Sequence, residues 1–423
     1  MPSFVMNFNS RFSAGLRVSV FVAGALLAGV PQARANYRTK AIELTNAIQR
    51  DFYVQNEGIY HGEIPVNAKL PYEVMWGNGV QFSVLAAAAR YEPDSFKKPF
   101  YEFTKGLERY WDKDAPVPGF DAYFSSRDGD DKYYDDNAWL VLGFCEAYRN
   151  TKDKQFLDWA RKTQDFVQSG WDEKLGGGIY WYQNKKDSKN TCINAPGAVG
   201  ALALYSIENK KSDLEWGQKL YDWTVANLQD KTDNLYWDNI NLDGKVEKTK
   251  WTYNTALMIR ASLDLWKATK KNSYLQEAKR EADASVMRWA DPQSGAFADS
   301  ARFNHLLAEA LIQTYEATSD IKYLNAVRRH ADFGDRYVRD VRTGTYFNNW
   351  NTETRKPDEH KSLIESASAA RLLWLLVPYS DVEELRIKGD DAMQKGESRV
   401  AVGWYQQAMN STAGAAATKI KRD

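Results

Sequence analysis

The sequence is short of the side chains that usually hold metals and cross-links. Two cysteines, Cys145 and Cys192, and four histidines, His61, His305, His330 and His360, are spread over 423 residues, with no Cys-x-x-Cys pair and no histidine cluster. Zinc therefore has no recognisable ligand set. The acid-rich stretch RDGDDKYYDD, residues 127–136, lacks the glycine and terminal glutamate spacing of an EF-hand loop. No metal and no cofactor are expected. Two cysteines cannot build a disulfide framework, and their spacing leaves either one bond or two buried thiols. Net charge is also missing, since 56 basic residues face 56 acidic ones. Such a balance offers nucleic acid no basic footprint.

Long apolar runs are scarce too. The run Val18–Val30 is uncharged but too short for a comfortable membrane span. Arg11 and Arg17 precede it, and Ala33–Arg34–Ala35 has the small-x-small form of a signal peptidase site. Residues 1–35 are thus predicted to be a signal peptide, with a mature chain from about Asn36, exported to the periplasm or secreted. Removing Arg11, Arg17 and Arg34 leaves 56 − 3 = 53 basic residues against 56 acidic, a net charge of −3.

Aromatic residues, in contrast, are abundant: 15 Trp and 24 Tyr. Rings in such number serve bulky helix packing, or line a groove and stack on flat apolar faces such as those of sugars.

Hydrophobic periodicity predicts helix along almost the whole chain. An apolar, small-residue-rich helix alternates with a charged amphipathic one at a spacing of roughly 50–60 residues, with Gly- and aromatic-rich loops between units. Six apolar helices begin near Trp76, Asp135, Ala195, Trp251, Arg302 and Ile364. Amphipathic partners follow the first five, and the helix from Tyr37 is an unpaired segment of the same character. Helices apolar on most sides are buried, and half-charged ones face water. The predicted fold is therefore all-α, an (α/α)6 barrel over residues 36–378 closed by the N-terminal helix, with an open α-solenoid as the alternative. Residues 379–423 form a separate helical extension. Within it Gly389, Gly396, Ala401, Tyr405 and Ala408 fall where a tetratricopeptide repeat places small or aromatic residues, which reads either as a docking element for a protein partner or as an ordinary amphipathic hairpin that matches by chance. The tail from Ser411 is expected to be disordered.

The stretch KYYDDNAWL, residues 132–140, puts Asp135 and Asp136 at the head of an apolar helix. One acid suffices to cap a helix. A second, repelled by the first, needs another reason. Glycoside hydrolysis uses two carboxyls, about 5–5.5 Å apart in retaining enzymes. Adjacent residues at a helix start have Cβ atoms roughly 5–6 Å apart, closer to the retaining distance, and their repulsion raises one pKa to give a protonated acid.

YYDDNAW at Tyr133–Trp139, GGGIYW at Gly176–Trp181, KNTCINAPGAVGAL from Lys189, LYWDNI at Leu235–Ile240 and WTYNTALMIRASLDLWKAT from Trp251 together resemble glycoside hydrolase family 76, the bacterial endo-α-1,6-mannanases and related fungal cell-wall proteins. The resemblance covers about residues 37–378. It implies an (α/α)6 barrel, retention of configuration, Asp135 as nucleophile and Asp136 as general acid/base, acting on an α-mannan. Tyr134, Asp238, Tyr253 and Asn254 are the matching candidates for sugar binding, and Trp76, Trp181, Trp251 and Trp350 are candidate stacking platforms. The competing readings are a transglycosylase of the same family, a sugar 2-epimerase, for which only His305 occupies an inner-helix position, and a non-catalytic glycan-binding protein.

Overall fold

The computed structural model describes residues 37–124, 131–356, 360–406 and 408. The predicted leader, positions 127–130 of the acid-rich stretch and the tail from Ser411 lie outside them. Helices follow one another as α1 (Tyr37–Phe52), α2 (Met75–Tyr91), α3 (Pro93–Leu107), α4 (Tyr134–Thr151), α5 (Lys154–Ser169), α6 (Thr191–Glu208), α7 (Lys211–Leu228), α8 (Thr252–Thr269), α9 (Asn272–Trp289), α10 (Ala301–Thr318), α11 (Ile321–Phe333), α12 (Leu363–Leu376) and α13 (Ser380–Gln394).

The even-numbered helices from α2 to α12 pack side by side into a closed ring, α12 returning to α2. Each has one outer partner: α3 on α2, α5 on α4, α7 on α6, α9 on α8, α11 on α10 and α1 on α12. This is an (α/α)6 barrel, and the first helix closes it. Composition sorts the two layers. In α6 every residue from Thr191 to Leu204 is buried, whereas α5 buries Phe156, Ala160, Thr163 and Val167 at helical spacing and leaves its other flank to water.

The two ends of the barrel differ. At one end α4, α6, α8 and α10 stop on a left-handed residue, Lys152, Asn209, Lys270 and Ser319, and the outer helix restarts within two residues. At the other end longer loops lead from each outer helix to the next inner one. Six short antiparallel bridges fasten these loops to the outer-helix ends: Tyr53 to Tyr60, Trp111 to Phe120, Trp171 to Ile179, Gln229 to Tyr236, Ala290 to Phe297 and Arg339 to Tyr346. In the GGGIYW loop this close packing demands glycine. Gly178 has φ +88°, and a Cβ there would lie 2.6 Å from Trp223.

Neighbouring loops are also tied together. Glu63–Ile64 pairs with Lys361–Ser362, Ser188–Asn190 pairs with Asn239–Asn241, and Tyr133 bridges to Tyr182. The starts of the inner helices therefore surround one mouth.

Inside the ring, Arg371 of α12 reaches Glu146 of α4 at 2.8 and 2.7 Å and Glu309 of α10 at 3.5 Å, and Arg260 of α8 meets Glu309 at 3.3 Å. Beyond the barrel, α13 and helical residues 398–406 form a hairpin. Gly389 lies so close beneath the Tyr405 ring that a Cβ would approach it to 2.4 Å, Gly396 turns the chain at φ +76°, and Ala401 is fully buried.

Candidate active site

Aligning the six inner helices at their first residue explains the mouth. Position one, Met75, Tyr134, Thr191, Thr252, Ala301 or Leu363, is buried in every helix. Position four is polar throughout: Asn78, Asn137, Asn194, Thr255, Asn304 and Ser366. Asn137 accepts from the Phe120 amide and donates to the Phe120 and Tyr133 carbonyls, and Asn194 does the same for Ile179 and Asn190. Thr255 accepts from the Tyr236 amide. These side chains pin the loops over the helix starts, and positions two and three supply most of the mouth.

Asp135 and Asp136 hold those two positions in α4. Neither is used as a cap, because Tyr133 is the cap residue and no side chain caps this helix. Asp135 Oδ2 accepts from Trp181 Nε1 at 2.9 Å and from Cys192 Sγ at 3.3 Å, while Oδ1 accepts from the Asp136 amide at 3.0 Å. Burial pushes the Asp135 carboxyl up to about 6, against the pull of its Trp181 and Cys192 donors. Asp136 has no such donors among the described residues. Burial, then the charges of Asp135, Asp131 and Glu73, drive its pKa well above the ordinary carboxylate value. Adjacent carboxyls thus differ in their surroundings: burial raises both, and among the described residues side-chain donors oppose the rise at Asp135 alone, while neighbouring charges add to it at Asp136.

Around the pair, Trp181 is 39% exposed, and the ring beside it, Tyr133, stacks on Tyr182 at 4.5 Å. Asn254 is fully buried and donates weakly to Asp238 Oδ1 at 3.5 Å, with its own Oδ1 left without a partner. Burial raises Asp238, opposed by Asn239 and Asn254. Tyr253 is pushed well above its usual value by burial and then electrostatically by Cys192, Asp238 and Asp135. Tyr253 also meets Phe303 at 4.3 Å, and Phe303 joins Trp76 (5.6 Å) and Trp251 (5.7 Å) into one aromatic wall. The Arg302 guanidinium lies over Trp76 and pairs with Glu365.

Two expected binding residues lie elsewhere. Tyr134 is 2% exposed and stacks on Phe166 of α5 at 4.8 Å, because position one of an inner helix points to the outer layer. Trp350 is buried against outer helix α11, stacked on His330 at 4.7 Å and covering Gly334. Neither is offered to a sugar. Cys145 and Cys192 are both free thiols. His305 is buried, bonded to Ser368 at 2.9 Å, and its pKa falls to about 3 through burial and the Arg371 charge. Among the described residues no His, Cys, Asp or Glu group could hold a metal ion.

Phe303, Cys192 and Glu73 were not singled out from the sequence as residues of the mouth. The first two occupy positions three and two of their helices, the register shared with Asp136, Asn254, Asp135 and Tyr253, so aligning the helix starts would have found them. Glu73 lies before α2 and shares no such register. Its carboxyl rises to about 8 because it is buried.

Comparison with known proteins gives one family. The profile described as Glycosyl hydrolase family 76 matches residues 36–377. A selenomethionine structure of an α-mannanase of that family from Bacteroides thetaiotaomicron superposes with TM-score 0.77 and 27% identity, over 82% of this chain and 97% of that one. Mannan endo-1,6-alpha-mannosidase DCW1 of Saccharomyces cerevisiae is 26% identical over 231 residues, 46% of this chain and 51% of its own length. An α-1,6-mannanase of Salegentibacter shares the fold with TM-score 0.70 at 23% identity, covering 81% of this chain and 99% of that one. It was crystallised with α-1,6-mannotriose as an inactive variant carrying two adjacent Asp→Asn changes.

Proposed function

Because the chain belongs to glycosyl hydrolase family 76 and is a glycoside hydrolase, we propose that it cleaves α-1,6-linked mannan with retention of configuration, using Asp135 as nucleophile and Asp136 as general acid/base. The observation that carries this is the asymmetry of the pair: two side-chain donors on Asp135 Oδ2 and, among the described residues, none on the carboxyl of Asp136. Protonated Asp136 gives its proton to the glycosidic oxygen as the bond to the leaving sugar breaks. Asp135 attacks the anomeric carbon and forms a glycosyl ester. Asp136, now ionised, then takes a proton from water as the water oxygen displaces Asp135, which restores both carboxyls and leaves the product in its starting configuration.

The substrate comes from the relatives, an α-mannanase and a mannan endo-1,6-alpha-mannosidase. Trp181 above the pair and the Trp76–Phe303–Trp251 wall offer ring faces to successive sugars. Asp238 with Asn254 offers polar atoms to sugar hydroxyls. A polymeric substrate also agrees with the leader expected over residues 1–35, which would deliver the enzyme to the periplasm or outside the cell. The epimerase alternative lacks support, since neutral His305 is bonded to Ser368 rather than open to a substrate.

The test is mature protein on α-1,6-mannan, with the anomeric configuration of fresh product followed by NMR and with Asp135→Asn and Asp136→Asn as controls. Oligosaccharides released in the α form, and lost by at least about 1,000-fold in either variant, are expected. Product of inverted configuration would overturn the nucleophile assignment. Absence of product from α-1,6-mannan, with cleavage of another α-mannan, would overturn the substrate.

A further inference from the structure

Cys192 opens α6 at position two, 5% exposed, with its thiol 3.3 Å from Asp135 Oδ2. The indole of Trp181 donates to the same oxygen from the neighbouring loop. Cys145, buried in α4 at position twelve, has no comparable contact among the described residues. Two neutral donors from separate segments therefore converge on one oxygen of one carboxylate. The other oxygen accepts from the Asp136 amide.

We propose that Cys192 is a positioning residue for the nucleophile: its S–H, with Trp181 Nε1, holds Asp135 Oδ2, favours the ionised carboxylate and presents Oδ1 to the sugar. The inference rests on the assignment of Asp135 as nucleophile. Its physical basis is that a donor bonded to a carboxylate stabilises the charged form over the neutral one. The thiol suits this task because it stays protonated. Burial, then the Asp135 and Asp238 charges, hold it well above its ordinary pKa, so it donates rather than adding a third negative charge. The groups facing this pair are Asp136 from α4, Asp238 from the loop before α8 and Tyr253 from α8, while Asp131 and Glu73 act on Asp136. Cys192 and Trp181 are the side chains among them that lower Asp135.

The experiment compares wild type, Cys192→Ala and Cys192→Ser by two readouts. The first is the acid limb of kcat/KM on α-1,6-mannan. The second is the carboxyl titration of Asp135 by 13C NMR without substrate. Loss of the donor in Cys192→Ala should move both midpoints upward by about half a pH unit or more, and the serine hydroxyl should return them toward wild type. A merely space-filling cysteine would change stability and leave the midpoints in place, and identical midpoints in all three proteins would overturn the proposal. A shifted NMR midpoint in an enzyme that leaves mannan intact would sink the substrate reading and keep this one; cleaved mannan with unmoved midpoints would do the reverse. If the alanine variant does not fold, alkylation of Cys192, located by peptide mapping, is followed against pH in wild type and Asp135→Asn. Removing the facing carboxylate should lower the pH at which the thiol reacts, and an unchanged profile would overturn the contact.

Discussion

Asp135 and Asp136 are chemically identical and one residue apart, yet their neighbours divide them. The pH dependence of activity follows from that division. With Asp135 as the proposed nucleophile, taking up a proton below about 6, kcat/KM should fall on the acid side of that value, and the alkaline limb should report loss of the Asp136 proton. Trp181→Phe keeps the ring and removes the N–H, so it should move the acid limb upward. A pH–rate series on the two proteins checks both points. Stability runs opposite to activity. Both carboxyls titrate above their unfolded values, so their contribution is fully present below the unfolded pKa of about 3.9 and is lost as pH rises through the folded values. Asp136→Asn removes that loss. Its Tm should exceed wild type at neutral pH and match it near pH 3.5, as measured by calorimetry at the two values.

At the scale of the element, much was legible in advance. Six apolar helices read as an inner ring, and the lone amphipathic helix at Tyr37 read as the piece that closes it; both follow from which helix faces are apolar. The rotation of each helix was not legible. Tyr134 stood beside two mouth residues in the sequence but points away from them, because successive side chains turn by about 100° around the axis. Trp350 was misread for another reason: its direction is set by a stack on His330, contributed by a different element. The position-four residues tie helix start to loop, and their loss should be felt locally. Asn137→Ala leaves both backbone groups of Phe120 without a partner, a cost of about 2 kcal/mol or more, and loosens the loop that carries Tyr133. Urea unfolding should register the destabilisation, and kcat should fall although Asn137 touches no substrate.

Across the whole molecule, the ring is joined through its interior as well as along its circumference. Arg371 is almost wholly buried, and although burial opposes its charge, Glu146 and Glu309 hold its pKa above the ordinary value. Replacing one member of such a group strands the others. Arg371→Leu should destabilise the barrel by about 3 kcal/mol, whereas Arg371→Leu with Glu146→Leu should recover part of that loss. A double-mutant cycle in denaturant measures the difference.

The partnership of α1 with α12 carries a consequence in time. Trp374 Nε1 donates to Thr45 Oγ1 at 3.0 Å, joining residues 329 apart, and Ala41, Leu44, Ile48 and Phe52 are buried only once that partner arrives. The first of the described helices thus docks with the last of the inner ones. Folding cannot run to completion behind the ribosome, and its closing contact has the high sequence separation that slows the final step. Until then the chain is an open arc with an amphipathic helix loose at one end, its apolar face uncovered, and a chain cut short before Leu363 would be left as that arc.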